Sequence, residues 1–322
     1  MKIVFTDYYY PDNKIERELL SQLDNIEIVD LTQLVPGGIK TEELLIPHVK
    51  DADALIIQFA DISPAVINAM ENCKIIVRYA IGVDNIAIDA AKAKGITVSN
   101  VPDYCVEEVS DTAVAHTLNL FRAISKANSL VRSNDWSLDK IRPLKRLSES
   151  TIGLVAFGNI ARRTAEKFRG FTSHIVAYDP YFTDQDAFPW VDFVSLDELL
   201  SVSDVVSIHA PLTSATRHLI GERELGLMKP SAILVNTSRG GLIDENALIA
   251  VLEQHRIAGV GLDVLDVPDS EYAKSSLAKL SGNIIITPHL GWYSEASIVE
   301  LKKKVALNIV ERVKNGKALY EI

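Results

Sequence analysis

Cysteine is scarce: Cys73 and Cys105 are too few for a disulfide framework and are not spaced as metal ligands. Cys105 is expected to be a packing residue rather than a nucleophile, no metal site is expected, and a reduced, cytoplasmic setting is the default. No apolar run approaches the ~20 residues needed to span a bilayer. Basic residues are in the minority, 33 Lys and Arg against 43 Asp and Glu, and the formal charge of −10 argues against nucleic acid or an anionic membrane as partner. Low-complexity segments are missing, as is any period of roughly 20–50 residues that would suggest a solenoid. The opening MKIVFTDYYY turns polar after its first residues and reads as a β-strand rather than a secretory signal.

What remains is the composition of an ordinary globular protein, with a length of 322 residues that is comfortable for two domains. Short β-branched runs at 2–7, 26–31, 54–59, 74–79 and 96–100 alternate with helical patterns such as IERELLSQL and SPAVINAM, the second opening on a Ser N-cap and a Pro at N1. Continuous apolar strands separated by helices imply a parallel sheet covered on both faces. One long helix is expected from about Val106 to Val131, followed by a polar surface connection. From Thr151 a second complete doubly wound series begins: TIGLVAF, HIVAYD, VVSIHA, AILVNTS, VGLDV and IIITP. A long amphipathic helix, SEASIVELKKKVALNIVERVKNG, closes the chain. The fold class is therefore α/β with two doubly wound parallel-sheet domains.

The strand TIGLVAF runs into Gly158, Asn159, Ile160 and Ala161 and then a basic helix. A dinucleotide fingerprint G-x-G-x-x-G belongs there, and only its central glycine is present, the one that lets backbone approach a pyrophosphate. The helix N-terminus behind it supplies free N–H groups and the positive end of a dipole. By itself the motif is weak, because glycine between strand and helix is common. Its context is stronger, since the next strand ends in Asp179, where a ribose-binding carboxylate belongs. A carboxylate there accepts from the ribose hydroxyls and repels a 2′-phosphate, so NAD is expected over NADP.

Three segments end strands of the second series, where α/β sheets place their ligands: HAPLT (209–213), NTSRGGLIDENAL (236–248) and TPHLGWYSEAS (287–297). Together with RYAIGVDNI (78–86) and NVPDYCVEEVSD (100–111), they resemble the D-2-hydroxyacid dehydrogenase family over essentially the whole chain. The Trp-Tyr-Ser-Glu after His289 and the Arg78 loop are most similar to the subgroup containing C-terminal binding proteins. The resemblance implies a Rossmann cofactor domain (101–295) inserted in a flavodoxin-like substrate domain (1–100 with 296–322), and a homodimer through the 106–131 helix. It also implies an NAD-dependent oxidoreductase that moves a hydride between cofactor and a small 2-hydroxy or 2-oxo acid of D-configuration.

Such a reduction needs a hydride donor, a proton donor at the carbonyl oxygen and a cation for the carboxylate. By the family pattern His289 is the acid/base, an imidazole that changes charge near neutral pH, and Arg239 clamps the carboxylate and carbonyl through its planar fork. Arg78 resembles a second carboxylate contact, with a surface ion-pair role as its alternative, and the backbone N–H groups of Ile81 and Gly82 are further contacts. Asp263 would hold the nicotinamide carboxamide. Ala210, Thr213, Thr237 and Gly291 would lie along the cofactor with Gly158, Asn159, Ile160 and Asp179. Trp292 would line the substrate pocket and favour an apolar side chain on the acid, unless it only packs against the cofactor domain; Tyr79, Tyr104 and Trp136 are available as further aromatic wall.

The chain departs from the pattern in two places. The family pairs its histidine with a glutamate that fixes the tautomer, and counting forward from Arg239 puts Pro268 at that position. Asp269, after a one-residue slip, is the first candidate for the missing carboxylate, with Glu271 and Asp266 also nearby. Second, Ala80, Ala156 and Ala161 stand where ligand-binding turns usually carry glycine; alanine is tolerated wherever φ is negative, so these replacements should bear on affinity more than on fold. A competing reading is an NAD(H)-sensing interaction protein with vestigial catalysis, and a third is oxidation of another hydride donor such as formate or phosphite.

Overall fold

A computed structural model describes the backbone of residues 1–322 and every side chain except those at 269 and 270. The chain forms two compact units: Met1–Cys105 with Ser294–Ile322, and Val106–Tyr293.

In the first unit the strands are β1 (Lys2–Phe5), β2 (Glu27–Asp30), β3 (Ala54–Ile57), β4 (Ile75–Arg78) and β5 (Thr97–Ser99). All pairings are parallel and the order is β2-β1-β3-β4-β5, the flavodoxin-like arrangement with its topological switch between β1 and β3. Strand β3 is buried throughout, as the continuous apolar run ALII requires of a sheet covered on both faces. The helix Pro64–Ala69 starts as its sequence predicts, with the Ser63 hydroxyl accepting from Val66 N at 3.3 Å and Pro64 in the first turn. The closing helix Glu295–Asn315 begins at a Ser294 cap and ends where Gly316 takes φ 74°, a left-handed stop that suits glycine.

The second unit carries β6 (Ile152–Val155), β7 (Ile175–Tyr178), β8 (Asp192–Phe193), β9 (Val205–Ile208), β10 (Ile233–Asn236), β11 (Gly259–Leu262) and β12 (Ile284–Ile286). Their order, β12-β11-β10-β9-β6-β7-β8, is the Rossmann pattern with one further strand beside β11. Alternation along each strand divides the interior into two cores. Leu154, Val205, Ile233 and Val235 face one, while Val155, Val206, Ile208 and Leu234 face the other. The order reverses between β6 and β9, and it is outside the carboxyl ends of such strands that α/β sheets bind ligands.

Two expectations need correction. The sequence shows no strand at 192–193, because β8 is a two-residue edge strand with no apolar run to announce it. The single helix expected over 106–131 is two, Val106–Phe121 and Ile124–Arg132, broken where Ala123 turns left-handed at φ 50°. The break is stabilised locally, with Asn119 Oδ1 accepting from Ser125 N at 2.8 Å and its amide donating to Ser125 Oγ at 2.8 Å. The first helix buries seven residues and the second none, so only the first is held by packing within the unit. Among the described residues, no helix is long and apolar enough to cross a membrane, and no group of three or more His, Cys, Asp or Glu side chains could hold a metal ion.

Candidate active site

The turn after β6 holds the first group of expected ligand contacts. Gly158 is the N-cap of the helix Asn159–Phe168, which has no side-chain cap, and a carbon added at Gly158 would meet no described atom within 4 Å. Open space ahead of an uncapped helix N-terminus suits a diphosphate. Phe157 is fully buried and meets Phe182, Phe188 and Phe193 edge-on at 5.1–5.2 Å, which anchors the turn in the core. Asp179 closes the other side: its Oδ2 accepts from Phe157 N at 2.8 Å and its Oδ1 from Tyr181 N at 2.9 Å. These residues fit a dinucleotide bound across the ends of β6 and β7.

Ala156 overturns one expectation. Its φ is 71°, so it occupies the left-handed conformation that the first fingerprint glycine would adopt without strain. For an L-residue this costs roughly 1–2 kcal/mol, and the replacement therefore bears on the fold and not only on affinity. Ala161 differs: it lies within the helix, buried completely, where a methyl packs well. Ala80 is not among the residues with positive φ.

At the end of β9, Ala210 is buried, and Thr213 forms an exposed turn in which its N–H donates to Thr216 Oγ1 at 2.8 Å. His209, just before Ala210, was missed by the sequence reading. Its Nε2 lies 2.9 Å from Ser207 Oγ, its Nδ1 is buried without a partner among the described residues, and burial pushes its pKa down to about 3, so the ring is neutral. The signal that could have found it is its position, a histidine at the carboxyl end of a strand beside the switch point.

The Arg239 turn follows β10. Asn236 shapes it, accepting from Ser238 N at 3.0 Å and donating to Arg239 O at 2.8 Å, while Ser238 Oγ reaches across to Ile208 O at 2.9 Å. Gly240 is obligatory here, because a Cβ would fall 1.9–2.3 Å from the backbone of Leu265 and Asp266. One Arg239 Nη1 contact goes to Ser238 O at 2.8 Å. Thr237 Oγ1 is buried with no hydrogen-bond partner among the described residues, a polar atom in need of a ligand or water.

His289 follows β12 in a left-handed conformation, φ 52°. Its N–H donates to Asp263 O and Thr287 O, both at 3.0 Å. The Asp263 carboxylate brackets it: Oδ1 accepts from Thr287 Oγ1 at 2.5 Å and Leu290 N at 3.0 Å, and Oδ2 from Gly291 N at 2.7 Å. Three of about four acceptor positions on Asp263 are thus used by the protein, leaving room for one more donor. Trp292 is half-buried and meets Tyr293 edge-on at 5.6 Å.

Of the acids considered as partners for His289, Asp266 is engaged by Arg217 at 3.1 Å and His218 at 3.4 Å, and Glu271 pairs with Lys274 at 2.8 Å. The Asp269 side chain lies outside the described residues.

In the first unit, the loop after β4 is tied through its carbonyls. Arg78 Nη1 donates to Gly82 O at 2.7 Å and Nε to Gln58 O at 3.1 Å, with Asp84 at 3.8 Å, and Asn100 Nδ2 donates to Ile81 O at 2.6 Å. Arg78 therefore braces the loop whose N–H groups were expected to meet a carboxylate. Tyr79 is a core side chain rather than an exposed wall: it is 2% exposed, and its hydroxyl donates to the buried Glu16 at 2.7 Å. Tyr104 is also buried, whereas Trp136 is exposed.

Comparison with known proteins agrees with this geometry. Residues 114–291 match the model of the "D-isomer specific 2-hydroxyacid dehydrogenase, NAD binding domain". The chain is 35% identical to a glyoxylate reductase of Thermococcus litoralis, across 95% of this chain and 92% of that protein. It is 35% identical to a hydroxypyruvate reductase of Thermotoga maritima, across 94% of this chain and 95% of that protein. Among solved structures, the D-lactate dehydrogenase of Aquifex aeolicus complexed with NAD and lactic acid superposes with a TM-score of 0.82 at 26% identity, over 98% of both chains. With residues 114–291 matched to that family model and relatives 35% identical along nearly the whole length, the chain belongs to the D-isomer-specific 2-hydroxyacid dehydrogenase family and is an NAD-dependent oxidoreductase.

Proposed function

We propose that this protein reduces a small 2-oxo acid, preferably one with an apolar side chain, to the D-2-hydroxy acid, with NADH favoured over NADPH. The observation that supports this most is the bracketing of the turn around His289 by Asp263, which fixes the backbone that carries the imidazole in a left-handed conformation at the carboxyl end of β12. Such strain is kept where the surroundings over-determine it and function requires it.

In this reading His289 delivers the proton to the carbonyl oxygen, and its fixed backbone limits the imidazole to a narrow set of positions. Arg239 holds the substrate carboxylate and stabilises the developing alkoxide. Arg78 and the Ile81 and Gly82 N–H groups complete the carboxylate contacts. NADH supplies the hydride when bound. The Gly158 turn, with Asn159 and Ile160, holds its diphosphate, Asp179 its adenosine ribose, and Ala210, Thr213, Thr237, Asp263 and Gly291 the remainder. Trp292 supplies the apolar wall. Asp269 is the carboxylate assigned to His289. We place the protein in the cytoplasm as a homodimer through the 106–131 segment, where Ile124 and Val131 are exposed apolar side chains on a helix that buries nothing.

The test is NADH oxidation against glyoxylate, hydroxypyruvate, pyruvate and branched 2-oxo acids, with NAD reduction by formate and phosphite alongside. Turnover of 2-oxo acids that falls about 100-fold or more in His289→Gln is expected. Silence across the panel with NADH binding retained would make the chain an NAD(H) sensor, and turnover only with formate or phosphite would reassign the substrate.

A further inference from the structure

The bracket around His289 does not end at Asp263. Thr287 has one hydroxyl proton, and at 2.5 Å from the Asp263 carboxylate that proton is committed. His116 Nε2 lies 3.0 Å from Thr287 Oγ1, so it must donate to that hydroxyl oxygen. His116 is 4% exposed, and desolvation lowers its pKa against the pull of the Asp263 charge, while the contact with Thr287 places a ring proton on Nε2. Its Nδ1 is buried and makes no hydrogen bond among the described residues. The ring is wedged rather than loosely placed. A Cβ at Gly261 on β11 would sit 2.7 Å from His116 Nδ1, and one at Gly291 would sit 2.8 Å from Asp263 Oδ2. Two glycines thus make the room that this chain of hydrogen bonds occupies.

We propose that His116 is a positioning residue for His289, acting through Thr287 and Asp263 from the helix Val106–Phe121. The inference rests on His289 being the acid/base, and concerns what holds it rather than what it does. A donor at Nε2 fills the Thr287 lone pair and aims its proton at Asp263 Oδ1. The carboxylate is thereby fixed with both oxygens on the turn that flanks His289, at residues 287, 290 and 291. Without that donor, Thr287 is free to rotate and Asp263 loses its orienting contact on one side. A leucine would fill the same space but supply no proton, whereas glutamine carries an amide N–H of comparable reach.

The experiment compares His116→Leu with His116→Gln, reading amide hydrogen exchange at Leu290 and Gly291, the Kd for NADH, and kcat and KM with a turned-over 2-oxo acid. In His116→Leu, exchange at these two amides should speed up about tenfold relative to the strands of the unit, and kcat should fall about tenfold with KM little changed. His116→Gln should restore most of both. Unchanged exchange at 290 and 291, or a loss spread evenly through the unit in which glutamine is no better than leucine, would overturn the proposal. If His116→Leu does not fold, Thr287→Val against Thr287→Ser tests the same link with the same expectations. Full activity in His289→Gln would remove the reading of His289 as acid/base, while the exchange data would still decide whether His116 holds the turn.

Discussion

The Asp179 carboxylate and the Phe157 backbone N–H meet at 2.8 Å, joining the end of β7 to the turn after β6. One group thus supports the turn after β6 and sets the charge beside it. Asp179→Asn keeps an acceptor for Phe157 N or Tyr181 N but removes the negative charge. The expected outcome is a ratio of kcat/KM for NADH over NADPH that falls at least about tenfold, equivalent to ~1.4 kcal/mol. Asp179→Ala should also lose about 1–2 kcal/mol of stability, because two backbone donors lose their acceptor. An unchanged cofactor ratio in both variants would remove Asp179 from cofactor selection.

Ala156 holds a left-handed φ of 71° beside that contact. Replacing it by glycine relieves a strain of ~1–2 kcal/mol and returns about 0.5–1 kcal/mol through the freer unfolded chain. Ala156→Gly should therefore gain roughly 0.5–1 kcal/mol in urea unfolding. A loss of stability would mean that the methyl packs in a way that outweighs its backbone conformation.

These two residues also show what the sequence could and could not reveal. Both sheets were legible because their strands are continuous apolar runs, and the place of Asp179 was legible because it directly follows one of them. The strain at Ala156 was not, since an alanine in a degenerate fingerprint carries no sign of its φ. The break at Ala123 was hidden because apolar residues continue across it, and it is made by Asn119, whose capping role depends on a partner six residues away. His116 sits on the buried face of an amphipathic helix, where a histidine reads as core. Only the approach of Thr287, 171 residues later, gives it a function.

Glu16 is fully buried beneath Tyr79, and burial raises its pKa despite the Tyr79 hydroxyl at 2.7 Å and the Lys302 ammonium at 3.7 Å, both of which favour the charged form. Asp12, on the far side of Lys302, adds to the rise. A carboxyl raised on folding contributes stability that is present below the ordinary carboxylate range and lost as pH rises through its folded value. Glu16→Gln keeps an acceptor for Tyr79 and carries no proton to lose, so it should gain on the wild type as pH rises above the ordinary carboxylate range. Urea unfolding through that rise in pH checks this, and a stability difference independent of pH would show that Lys302 neutralises Glu16 in full.

Trp292 lies three residues beyond His289, directly after the Gly291 that donates to Asp263. If its ring forms the substrate wall, Trp292→Ala should lower kcat/KM for branched 2-oxo acids about tenfold or more, the value of burying a few methylenes. Pyruvate, with only a methyl group to bury, should lose much less. Equal losses for both would mean that the ring supports the turn and does not select the substrate.

Pro268 stands where the family has its glutamate, and two of the three nearby acids already face other cations. Asp266 is shared between Arg217 and His218, and Glu271 pairs with Lys274. A carboxylate hydrogen-bonded to one ring nitrogen fixes the tautomer that presents a proton from the other. If Asp269 supplies it, Asp269→Ala should lower kcat for 2-oxo acid reduction about tenfold or more. Asp266→Asn should leave kcat in place, since its charge is spent on Arg217. A loss in Asp266→Asn with none in Asp269→Ala would exchange their roles. No loss in either would mean that His289 works without a carboxylate from this segment, relying on the Asp263 bracket alone for its orientation.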